Sequence, residues 1–223
     1  MIILVTGAGG PAGRAVTRRF TGQGHTVIGV DRSGADGLLA VDLLDADAVG
    51  RLARDVAAEH GHVDGIVHLV GGWRGSKTFA ETSLEDWALL HDLLIRTLQH
   101  VTLAFEPLLK AAERGRFAIV SAKAAERPTQ GNAAYGTAKA ASEAWTLAFA
   151  DALEGTGATA NILVVKALVH EGMREASPER AFPGFTDVGD LAEAVERLWE
   201  SDANGTRIDL TAGRGAGRGE ESP

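Results

Sequence analysis

Short apolar runs rich in Val, Ile and Leu recur along this chain, and longer stretches of helical periodicity separate them. That alternation is the pattern of a parallel sheet covered by helices. The runs are IILVT (2–6), TVIGVD (26–31), LLAVD (38–42), GIVHLV (65–70), RFAIVS (116–121), TANILVV (159–165) and TRIDLT (206–211). Helical periodicity falls at 12–22, 45–59, 84–113, 134–153 and 187–201. The expected fold is therefore α/β: a single-domain, doubly wound, seven-stranded and mostly parallel sheet with helices on both faces, spanning residues 1–212. Residues 166–186, with prolines and mixed charge after the sixth run, are expected to form an irregular, mobile lid beside a substrate. The Gly-rich tail 213–223 has too little apolar surface to offset its ordering entropy and is expected to be disordered.

Composition narrows the function. Acidic residues outnumber basic ones by 30 to 22, a formal charge of -8, which repels phosphate backbones and anionic membranes. Nucleic acid and membrane partners are not expected. With no cysteine, neither disulfides nor thiolate metal sites are possible. His60 and His62 lack convergent ligands, so no metal site is expected. The opening MIILVTG is too short for a leader or a membrane span, and a cytoplasmic location is expected.

The first run leads directly into TGAGGPAG (6–13) and then a helix. Glycines at 7, 10 and 13 let the backbone turn tightly and approach a pyrophosphate, while the helix N-terminus favours the anion. Asp31 ends the second run, at the spacing where a carboxylate accepts hydrogen bonds from an adenosine ribose and repels a 2'-phosphate. NAD is thus expected over NADP, although Arg32 beside it can pair with a phosphate.

Tyr135 is the chain's single tyrosine, and Lys139 follows it at i+4, on the same helix face. A nearby ammonium stabilises a phenolate, so the pair is expected to bring the phenol toward neutral pH and make it an acid/base.

Together these motifs resemble the short-chain dehydrogenase/reductase family over residues 1 to about 213. The resemblance implies cofactor contacts from Gly7, Gly10, Pro11, Ala12, Gly13, Asp31, Asp42, Leu43, Gly71 and Lys139. It also implies that Tyr135 exchanges a proton with the substrate as hydride moves, and that the chain forms a homodimer or homotetramer. Two expected helpers are missing: the serine thirteen residues before the tyrosine is Ala122, and the helix asparagine is replaced by Leu94. Ser121 is the neighbouring substitute. VGGWRG (70–75) and SAKAA (121–125) are similar to an atypical branch lacking that serine, which includes dihydropteridine reductase and related bacterial proteins. By that likeness Trp73 stacks on a flat substrate. Lys123 and Lys166, near strand ends, and His170, in the lid, are candidate substrate contacts. Trp87, Trp145 and Trp199 are expected in the core or an interface. The leading expectation is an NAD-dependent oxidoreductase acting on a C=O or C=N carbon. The alternatives are a catalytically weak cofactor-binding sensor and a non-redox lyase or dehydratase.

Overall fold

The structure is a computed structural model that describes residues 1–211. The tail expected at 213–223 lies outside the described residues. The elements run β1 (Ile2–Thr6), α1 (Pro11–Gly22), β2 (Thr26–Asp31), β3 (Leu39–Ala40), α2 (Ala46–His60), β4 (Gly65–His68), α3 (Leu84–His91), α4 (Thr97–Lys110), β5 (Arg116–Ala122) and α5 (Ala133–Ala152). They continue with β6 (Thr159–Val165), β7 (Leu168–Val169), α6 (Glu171–Ala176), β8 (Thr186–Asp187), α7 (Val188–Glu196) and β9 (Arg207–Asp209).

Seven strands pair in parallel in the order β3-β2-β1-β4-β5-β6-β9. Strand alternation feeds two cores. Leu4, Ile66 and Ile162 enter the one that includes α2, α4 and α5, whereas Ile3, Val5, Val67 and Leu163 enter the one that includes α1 and α7. Strand order reverses between β1 and β4, where a doubly wound sheet opens a crevice at its carboxyl edge.

Several boundaries differ from the sequence pattern. LLAVD pairs only at Leu39–Ala40, because Asp42 Oδ1 accepts from Leu44 N at 3.0 Å and turns the chain off the sheet edge. The helix expected at 84–113 is interrupted by a π turn at Asp92–Arg96 and ends at Lys110. Thr97 Oγ1 donates to the Leu93 carbonyl, and Ser142 Oγ to the Leu94 carbonyl, so side chains occupy acceptors inside that wide turn. The expected lid is only partly irregular: β7 and β8 pair in parallel and hold α6 between them.

Arg116, 1% exposed, anchors the far end of the sheet. Its guanidinium donates to the carbonyls of Leu198, Gly115, Gly157 and Ser201 and to Asp202 Oδ1. Trp199 packs edge-on to Phe20 at 5.5 Å, and Trp145 Nε1 donates to Thr102 Oγ1 at 2.9 Å.

Candidate active site

The glycine turn is built for close approach. Gly7 has φ +70°, and a Cβ there would lie 2.9 Å from the Leu69 carbonyl. At Gly13 a Cβ would lie 2.3 Å from the Gly7 carbonyl oxygen. Gly10 precedes α1 with no side-chain cap, Pro11 opens the helix, and its first turn has no acidic residue. The helix therefore presents unshielded N–H groups and its positive end, which fits a pyrophosphate.

Two adjoining spaces share Gly7, Gly10, Leu69, Val70 and Gly71. The smaller, 250 Å³, is lined by Asp31, Arg32, Asp42 and Leu43 and suits an adenosine. Asp31 Oδ2 accepts from Gly9 N at 3.2 Å, tying the end of β2 to the glycine turn. The larger cleft, 820 Å³, is lined by Pro11, Ala12, Gly13, Trp73, Tyr135 and Lys139 among others. The expected glycine, tyrosine and lysine residues thus face one space.

Helix α5 supplies the polar pair. Lys139, 8% exposed, donates from Nζ to the Val120 carbonyl at 2.7 Å, and its Nζ lies 5.9 Å from the Tyr135 ring centroid. Burial lowers Lys139 to about 8, against a raising influence from Glu143. The expected drop in the tyrosine's pKa is not found: burial raises Tyr135 to about 12. Burial disfavours the charged form of each group, which moves the phenol up and the ammonium down.

Two of the candidate substrate contacts have other partners in the structure. Ser121 has no exposed surface, and its Oγ donates to Glu143 Oε1 at 2.5 Å, within a network where Arg207 Nε donates to Glu143 Oε2 at 2.8 Å. Ser121 is among the cleft-lining residues, but its hydroxyl proton is committed to Glu143. Ala122, beside it at the end of β5, also lines the cleft and brings a methyl where the family has a hydroxyl. Lys123 is absent from the cleft lining and pairs with Asp209 Oδ2 at 2.7 Å. That bond holds the Asp209 carboxyl at about 2. Leu94 is 3% exposed in the π turn and packs with Leu90 and Ala138. Trp73, 63% exposed, and His170 do line the cleft.

His68, at the end of β4, belongs to no sequence motif. Its Nδ1 lies 2.8 Å from Thr6 Oγ1 and its Nε2 3.3 Å from Thr97 Oγ1. Because the Thr97 hydroxyl donates to the Leu93 carbonyl, it accepts from Nε2–H, and Thr6 donates to Nδ1. Burial, then the Lys139 charge, push His68 down to about 3, so it is neutral near pH 7. A histidine inside an apolar run gives no sign of such a bridge until the helix register is known.

A parallel sheet with a glycine-lined, helix-ended crevice at its switch point defines a Rossmann-type dinucleotide-binding protein. More narrowly, the short chain dehydrogenase family matches over residues 1–180, and the chain belongs to that family. It is 29% identical over 168 residues to the NADP-dependent 3-hydroxy acid dehydrogenase YdfG of Escherichia coli K12, covering 70% of this chain and 68% of that protein. Its fold is similar to the ligand-free aldohexose dehydrogenase of Thermoplasma acidophilum, with a TM-score of 0.80 at 20% identity over 94% of this chain and 91% of that one. It is equally similar to an NAD+-bound xylitol dehydrogenase, with a TM-score of 0.79 at 20% identity over 94% of this chain and 96% of that one.

Proposed function

We propose that this oxidoreductase exchanges hydride between a nicotinamide dinucleotide and a C=O or C=N carbon of a small, flat substrate, with Tyr135 as the acid/base. The observation that carries the reading is that Tyr135, Lys139 and the glycine turn line one cleft. The E. coli relative, named as a 3-hydroxy acid dehydrogenase, supports chemistry at a hydroxyl-bearing carbon.

Gly7, Gly10 and Gly13 with the start of α1 would hold the pyrophosphate, and Asp31 the adenosine ribose. The dinucleotide supplies the hydride acceptor or donor. Lys139 would exchange the Val120 carbonyl for a ribose hydroxyl and bring its charge to bear on the phenol. Tyr135 then gives up or receives the proton at its hydroxyl. Ala122 provides no hydroxyl to orient a carbonyl, so Trp73 stacking takes a larger part in holding the substrate. Asp31 supports NAD as the preferred cofactor, while Arg32 and the NADP-dependent relative are the grounds for testing both.

The test is absorbance of the reduced nicotinamide with a panel of quinonoid and ketone substrates. Tyr135→Phe is expected to lower turnover at least a hundredfold while leaving NADH affinity within about twofold. Retained turnover would reject the role. A second reading, a cofactor-binding sensor with weak catalysis, is favoured by Ala122 and by Ser121 being taken up by Glu143. It predicts tight dinucleotide binding with no turnover by the wild type.

Self-association belongs to this proposal. Leu103 on α4 and Leu147 on α5 are 64% and 41% exposed, and they supply apolar surface for a homodimer or homotetramer. Among the described residues no helix is long and apolar enough to cross a membrane.

A further inference from the structure

The 820 Å³ cleft is lined by Lys139, Lys166 and Arg180 but by no aspartate or glutamate, in a chain of formal charge -8. Lys139 belongs with Tyr135 in the proposed reaction. Lys166 and Arg180 come from the segment between β6 and β8, at the substrate end. Neither pairs with a carboxylate among the described residues. Lys166 Nζ donates to the Pro183 carbonyl at 3.0 Å and lies 5.9 Å from the Phe185 ring centroid, and Arg180 lies 5.1 Å from that of Phe182.

The neighbouring groove beside α1 and α6, of similar volume at 810 Å³, provides the contrast. Three of its four arginines are matched: Arg14 pairs with Asp36, Arg19 with Glu196 and Arg174 with Asp187.

A guanidinium and an ammonium facing a space without acids recognise an oxyanion, and a planar guanidinium matches a carboxylate in two hydrogen bonds. Trp73, Met173 and Phe185 line the same space and suit an apolar body. We infer that the substrate carries a carboxylate, held by Arg180 and assisted by Lys166, with its apolar part against Trp73 and Phe185. The inference rests on the oxidoreductase reading and names its substrate class.

The test compares aromatic and aliphatic oxo-acids with their methyl esters, 4-formylbenzoate and methyl 4-formylbenzoate among them, in wild type and Arg180→Gln. The expected result is that wild type prefers acids over esters at least tenfold in kcat/KM and that Arg180→Gln reduces this ratio at least tenfold, chiefly through KM. NADH affinity, read from its fluorescence, stays within twofold. Equal use of acids and esters, or a loss falling on NADH affinity, which would assign Arg180 to the cofactor phosphates, overturns the inference. Calorimetry with benzoate on the NADH complex separates the two readings. Arg180-dependent benzoate binding without turnover would keep the carboxylate site and remove the oxidoreductase reading. No benzoate binding together with no preference for acids would remove the carboxylate site itself.

Discussion

His68 joins the ends of β1 and β4 to the start of α4 through two threonine hydroxyls, and this bridge requires the neutral ring. An unfolded histidine titrates near its ordinary value, whereas His68 stays neutral to about 3. Between those values the unfolded chain binds the extra proton, so stability falls as pH falls. On the order of 2 kcal/mol is expected to be lost between pH 7 and pH 5 through this residue. Urea unfolding at the two pH values measures it, and His68→Asn should remove that part of the slope. Lys139 acts in the alkaline range. With its pKa at about 8, kcat/KM should decline above that pH as its charge is lost. Glu143, one helical turn further along α5, raises the lysine's pKa. Glu143→Gln should therefore move the alkaline decline to lower pH, and an unchanged profile would separate Glu143 from Lys139 function.

At the scale of elements, α5 sits where it does because of Gly136. A Cβ there would lie 2.7 Å from the Ala124 carbonyl oxygen and 2.9 Å from Pro128 Cβ. In an open helix, Gly→Ala stabilises by about 1 kcal/mol. Here the new methyl pushes α5 off the turn that follows β5 and carries the adjacent Tyr135 with it. Gly136→Ala should lower both the melting temperature, followed by circular dichroism, and kcat. This contact also shows what sequence pattern conveys and what it does not. The strands β1, β2 and β6 are legible to the residue because apolar runs bounded by Gly or Thr leave one way to pair. Tyr135 and Lys139 are legible because i, i+4 spacing is local. The π turn, the Ser121–Glu143–Arg207 network and the cleft position of Arg180 are not, since each depends on the angle between elements distant in sequence. The pairing of Lys123 with Asp209 is not legible for the same reason: a place near a strand end does not say whether a long side chain turns to the cleft or to β9.

For the whole molecule, the sheet divides the work between its halves. The half containing β1 to β3 supplies the glycine turn and Asp31, and the half containing β5 to β8 supplies the tyrosine, the lysine and the cationic segment. Self-association through α4 and α5 would bury Leu103 and Leu147 without closing the carboxyl-edge crevice. Leu103→Glu places a charge in that surface and should shift the protein toward monomer in light scattering, while NADH affinity is retained. Arg116 gives the chain's construction an order. Its guanidinium collects carbonyls from residues 115, 157, 198 and 201 and the carboxylate of Asp202, so it has its full set of partners only when the polypeptide has been made almost to its last strand. A chain released early from the ribosome would bury an unsolvated cation or leave β5 open. A copy truncated before residue 198 is therefore expected to be cut faster than the full chain in limited proteolysis.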